Sequence, residues 1–129
     1  MIRPVGSNPT LSAKFDMRMW MVNPEILCNQ HLLGEHAELH KHLWCWRKKH
    51  RIDKRIAGNA IEPSSYKDRH DALEAEMKRR GMKPKSPIEQ PDFSYLSKEQ
   101  IEFKVDVSAS LSELTRRCSD CSERAMVTD

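Results

Sequence analysis

The chain has 129 residues, a net charge of +3, 32% charged and only 6% aromatic residues, which predicts one domain with a modest helical core. It has no run of about 18 apolar residues, so the sequence predicts no membrane span. Residues 1–16 lack the apolar segment of a secretory signal, so we expect a cytoplasmic protein that is not secreted, with its four cysteines as thiols.

The first predicted element follows a flexible leader, residues 1–16, which contains prolines and a glycine and shows no periodicity. Residues 17–22 alternate in polarity and lead into Asn23-Pro24. Because Asn can cap a helix and Pro is tolerated at its first position, this pair predicts a helix start. We expect the helix to continue to about Lys48.

Two further helices are predicted. Ser65 and Asp68 have the spacing of a capping box and open a helix that runs to Arg80, where Gly81 ends it. A last helix is expected from Ser110 to about Arg124. The sequence therefore predicts an all-α fold, with residues 17–129 forming one compact, monomeric domain of three main helices joined by long connecting segments.

Basic charge is concentrated in one part of the chain. Residues 17–85 carry 15 basic and 9 acidic residues, whereas residues 86–129 carry 5 basic and 9 acidic residues. Six of the cations fall within nine positions, more than a helix end requires, and we call them the basic cluster: Arg47, Lys48, Lys49, Arg51, Lys54 and Arg55. This cluster predicts contact with DNA phosphates and binding that depends strongly on salt.

Four ionisable residues would share one stripe of the first helix. His31, Glu35, Glu38 and His42 fall within about 60° of arc at 100° per residue. A solvated face would more often mix Lys, Gln, Ser and Asn. The stripe therefore indicates a functional site.

The same segment carries a recognisable motif, Leu27-x-x-Gln30-His31-Leu32-x-x-Glu35-x-x-Glu38-Leu39. In spacing and residue type it resembles the first helix of the pyrimidine-dimer DNA glycosylases of the phage endonuclease V type. The resemblance covers about residues 17–85. It implies a DNA repair glycosylase with abasic-site lyase activity that acts on damaged double-stranded DNA, at the nucleoid, and needs no metal or organic cofactor.

The resemblance also implies roles for particular residues. The α-amine of the first residue of the mature chain is the nucleophile, a position that Met17 occupies here, and Glu38 matches the glutamate that assists β-elimination. The substrate-binding residues would be Arg18, Gln30, His31, Glu35, Lys41 and His42. Base flipping is the expected route to C1′.

Alternatives remain at three places. The amine of Met17 is free only if translation starts there or the leader is removed; otherwise the chain could be a non-catalytic helical DNA-binding protein with the same fold. His36 and His40 fall short of a zinc-protease motif, because the intervening glutamate is one place too late. Cys118 and Cys121 could ligate zinc, with Cys28 or Cys45 as a completing ligand, but their apolar spacing favours core thiols.

Overall fold

A computed structural model describes residues 18–128, and the expected leader and Met17 lie outside these residues. The helices are α1 (Asn29–Lys41), α2 (Leu43–Arg47), α3 (Asp53–Ala57), α4 (Tyr66–Arg79), α5 (Lys98–Glu102), α6 (Val107–Arg117) and α7 (Ser119–Val127). Two 3₁₀ turns cover Pro24–Ile26 and Pro63–Ser65. No strand occurs in the part of the chain that is described, so the all-α prediction is confirmed.

The core lies between α1 and α4, and helices from both halves of the chain contribute to it. Leu32 and Leu39 from α1 meet Leu73 from α4, and Leu114 closes the core from α6; all four side chains are fully buried. Trp46 from α2 is also buried. Among residues 18–128, no helix combines the length and the apolar character that a membrane span requires.

The predicted long first helix is wrong. Asn23 does act as a cap, but it opens the short 3₁₀ turn, after which Leu27 and Cys28 are extended and Cys28 caps α1. Arg80 stabilises this break, because its guanidinium donates to the Leu27 carbonyl at 2.7 Å. A second interruption at His42 separates α1 from α2.

The third predicted helix is also divided. Asp106, not Ser110, caps α6, and Cys118 adopts an extended conformation between α6 and α7. The described residues therefore form four helices of nine or more residues where three were expected.

The capping box predicted for the second helix is not formed. Ser65 makes no capping bond; its hydroxyl donates instead to Glu62.

The predicted stop at Gly81 is confirmed. Gly81 has a φ of +90°. Its N–H donates to the Lys78 carbonyl, and the Met82 N–H donates to the Met77 carbonyl, both at 2.9 Å. This is the pair of bonds of a Schellman motif, which favours glycine at the left-handed position.

Candidate active site and nucleic-acid interface

Residues 18–22, which we call the anchored segment, are fixed by hydrogen bonds to three other parts of the chain. The Met19 N–H donates to the Ala60 carbonyl at 2.8 Å, and the Ser110 hydroxyl donates to the Trp20 carbonyl at 2.6 Å. The Val22 carbonyl accepts from the Arg69 guanidinium at 2.6 Å. The backbone next to residue 17 is thus anchored to the core.

Glu35 lies beneath this segment in a buried ion pair with Arg69. The Arg69 Nε and one terminal nitrogen donate to the two carboxylate oxygens at 2.7 and 2.9 Å, and the Trp20 N–H donates to Oε2 at 3.2 Å. The side chains of Glu35 and Arg69 are 0% and 4% exposed. Every carboxylate oxygen of Glu35 is satisfied, so the structure gives this predicted substrate residue a role in holding the fold.

Glu38, one helical turn further along α1, has a different environment. It is half-buried, and its Oε1 is buried without a hydrogen-bond partner among residues 18–128. A buried carboxylate oxygen without a donor costs free energy, which a positively charged or hydrogen-bonding ligand would offset. Of the two glutamates in the motif, Glu38 is therefore the one available for chemistry.

Several charged groups, including Glu38, act on His42. Burial lowers the pKa of His42, and the Arg55 and Lys41 charges lower it further, against the opposite effect of the Glu38 carbonyl and carboxylate. The His42 Nδ1–H donates to that carbonyl at 3.0 Å. The charges of Glu38, Lys41 and Arg55 thus all act on His42 at the end of α1, and we call these four residues the group around Glu38.

Arg55, which was predicted to contact DNA phosphates, is only half-exposed. Its guanidinium lies 5.5 Å from the ring centroid of buried Trp46, and its Nε is buried without a partner among the described residues. Burial raises the pKa of the neighbouring Tyr66. The Glu38 charge raises this pKa further, whereas the Arg55 charge lowers it. Tyr66 therefore stays protonated and adds no charge to this group.

Two other predicted site residues lie at the opposite end of α1. Gln30 is exposed beside Asp120 and Arg124 of α7, where it lines a shallow cavity. His31 lies among cysteine side chains, and burial lowers its pKa, with a further lowering from the Arg117 charge. Neither residue joins the group around Glu38. Arg18 is half-buried, with its guanidinium 5.0 Å from the Trp20 ring centroid.

The basic cluster forms an exposed surface. Apart from half-buried Arg55, all of its members are exposed, and Arg51 is paired with Asp53. Trp44 was not among the predicted site residues. It is 57% exposed beside this cluster, and its ring centroid lies 5.0 Å from that of His50. The signal was an aromatic residue on the opposite side of α2 from buried Trp46.

Two groups of side chains have ligand atoms close enough to hold a metal ion. The first, which we call the cysteine cluster, contains Cys28, His31, Cys118 and Cys121. The second, the histidine cluster between α1 and α4, contains His36, His40, His70 and Glu74. Within each group the ligand atoms all lie within 4.8 Å of one another. Cys-x-x-His and Cys-x-x-Cys were the sequence signals for the first group.

The histidine cluster is internally bonded. His36 Nε2 lies 2.9 Å from the Glu74 carboxylate, and the Nε2 atoms of His40 and His70 are 3.0 Å apart. His70 is fully buried and its Nδ1 lies 3.0 Å from the Asp71 carboxylate. The His36–Glu74 and His40–His70 contacts join α1 to α4.

Comparison with known proteins gives one match. A family model described as pyrimidine dimer DNA glycosylase matches residues 17–90, which is more than half of the chain. The matched stretch includes the anchored segment, α1, the basic cluster and α4, but not α6 or α7. No curated protein and no solved structure matches the chain.

Proposed function

We propose, since this chain belongs to the pyrimidine dimer DNA glycosylase family, that it cleaves the glycosidic bond of one dimerised pyrimidine in duplex DNA and then nicks the strand as a lyase. The α-amine of residue 17, when it is the first residue of the mature chain, attacks C1′ of the damaged nucleotide. The glycosidic bond breaks, and the released base stays bonded to its partner in the dimer. The C1′–O4′ bond of the sugar then opens as the amine nitrogen loses a proton, which leaves an imine at C1′. Loss of a C2′ proton then expels the 3′-phosphate.

The observation that supports this proposal most directly is the Oε1 atom of Glu38, which is buried without a hydrogen-bond partner among residues 18–128. Its charge would stabilise the cationic imine and the positive charge that develops at C1′ as the base leaves. The same group can accept the C2′ proton during elimination, as a general base. The neighbouring Glu35 cannot serve in this way, because both of its oxygens already accept hydrogen bonds.

An α-amine suits the nucleophile for two reasons. Its pKa is about 8, so about a tenth is free base at pH 7, far more than for a lysine. It would also be bonded to the anchored segment, which Arg69 and Ser110 hold against the core. This anchoring limits the positions that the amine can occupy.

The DNA would lie on the surface formed by the basic cluster. Arg47, Lys48 and Lys49 are exposed and follow directly on the group around Glu38, since α2 begins two residues after α1 ends. Phosphate contacts there would supply affinity without reading sequence. Exposed Trp44 offers a ring on which an unstacked base can pack while the damaged nucleotide is flipped out.

Glu38→Gln tests the proposed chemistry with little change in size. We expect strand nicking at dimers to fall by at least about 100-fold, which is the lower range for loss of a general base, while DNA affinity is retained. Glu102→Gln, at an exposed site on α5, is the matched control and should nick normally.

The outcomes separate the two hypotheses for this chain. Unchanged nicking by Glu38→Gln would remove Glu38 from the mechanism. Dimer binding by the wild-type chain without any nicking, in a preparation shown to begin at Met17, would instead favour the non-catalytic DNA-binding protein.

A further inference from the structure

The cysteine cluster joins two distant parts of the chain. Cys28 and His31 lie at the start of α1, and Cys118 and Cys121 lie at the start of α7, about 90 residues later. The Cys28 Sγ lies 3.4 Å from His31 Nδ1 and 3.9 Å from the Cys118 Sγ. The Cys121 Sγ lies 3.6 Å from the same His31 nitrogen. Three sulfurs and one imidazole nitrogen therefore converge.

These three separations are close to those of a tetrahedral zinc site. With Zn–S bonds of about 2.3 Å and Zn–N bonds of about 2.0–2.1 Å, tetrahedral geometry places ligand atoms roughly 3.5–3.8 Å apart. The other pairs of ligand atoms in the cluster lie within 4.8 Å of one another. The spacings Cys28-x-x-His31 and Cys118-x-x-Cys121 are also short enough for each pair to bind from a single turn. By contrast, a thiol is a weak hydrogen-bond donor and acceptor, so hydrogen bonding alone gives little reason to gather these groups.

A separate observation concerns the backbone around the sulfurs. The His31 N–H points to the Cys28 Sγ at 3.5 Å, and the Cys121 N–H points to the Cys118 Sγ at 3.4 Å. The Cys28 N–H in turn points to the Cys121 Sγ at 3.2 Å. Each sulfur thus has one backbone donor, which helps to fix its orientation, as outer hydrogen-bond partners do for metal ligands.

The charges nearby are consistent with a metal thiolate centre. Cys28 and Cys118 cap α1 and α7, whose N-terminal ends carry partial positive charge. Three thiolates with Zn²⁺ and a neutral histidine leave one net negative charge. The Arg117 charge acts on His31 and would offset it.

We propose that Cys28, His31, Cys118 and Cys121 bind one Zn²⁺ ion. Four protein ligands leave no open position for water, so the site is structural and not catalytic. The ion ties α7, which lies outside the stretch that matches the family, to the start of α1. It thereby holds the helix that carries Glu38 against the C-terminal part of the chain.

Zinc analysis of the full chain, purified with a reductant, tests this directly. We expect about one zinc per chain, in line with a closed four-ligand site. A Cys118→Ser/Cys121→Ser variant should lose it. Cys45→Ser is the matched control, because Cys45 is a half-buried thiol outside the cluster, and it should retain the metal. A His36→Gln/His40→Gln variant should also retain it.

Cobalt substitution keeps the test valid if the double cysteine variant does not fold. The wild-type chain reconstituted with Co²⁺ should show a sulfur-to-cobalt charge-transfer band together with the strong visible bands of a tetrahedral ion. Absence of metal from the purified chain and after reconstitution would overturn the proposal. Loss of zinc in the histidine variant, but not in the cysteine variant, would also overturn it.

Discussion

Replacing Arg69 by Met tests the anchoring of residues 18–22. The change removes three hydrogen bonds, two to Glu35 and one to the Val22 carbonyl, and leaves the Glu35 carboxylate buried at 0% exposure without a counter-ion. Removing one partner of a buried ion pair costs about 3–5 kcal/mol. For a chain of this length, that corresponds to a fall in Tm on the order of 10 °C.

Urea unfolding monitored by tryptophan fluorescence measures this loss. The matched control is Lys67→Met, which removes an exposed ion pair with Asp71 on the same helix and should change stability far less. The double variant Arg69→Met/Glu35→Leu should recover part of the loss, because it leaves no charge buried. A loss below about 1 kcal/mol in Arg69→Met would refute the reasoning, since it would mean that Glu35 reaches water or another cation.

Three further predictions concern DNA binding and pH. Neutralising the exposed members of the basic cluster should weaken binding to damaged and undamaged duplex alike. The slope of log affinity against log salt should become shallower by about 0.9 per lost contact, and an unchanged slope would place the DNA on another face. Trp44→Ala should weaken binding to duplex with an unstacked lesion more than to intact duplex, whereas equal losses would argue against stacking. Burial in the folded protein lowers the pKa of His42 below 6.5, so the unfolded chain takes up the proton first and the free energy of unfolding falls as pH drops below about 6.5. The variant His42→Gln should show a shallower decline in unfolding titrations, and an identical decline would contradict the assignment.

Local signals in the sequence were sufficient for several features. The left-handed stop at Gly81 follows from glycine chemistry, and the exposure of the basic cluster follows from its charge. The family was correctly identified from the motif around Glu38, because the family model matches residues 17–90.

Other features depend on contacts between residues far apart in sequence. The break before α1 depends on Arg80, which supplies the Leu27 carbonyl with a donor from more than fifty positions away. The environments of Glu35 and Glu38 differ because Arg69 reaches only the first of them, although both lie on one stripe of α1. His31 contacts Cys121, ninety positions later, a pairing that periodicity cannot reveal.

Borohydride trapping on abasic DNA tests the central claim that an α-amine at residue 17 is the nucleophile. A chain that begins at Met17 should give a covalent adduct, and mass spectrometry should locate the cross-link at that residue. A chain extended by residues 1–16 should give none, because an amide nitrogen cannot form an imine. Equal trapping of the two chains, or a cross-link at a lysine such as Lys41, would contradict the claim.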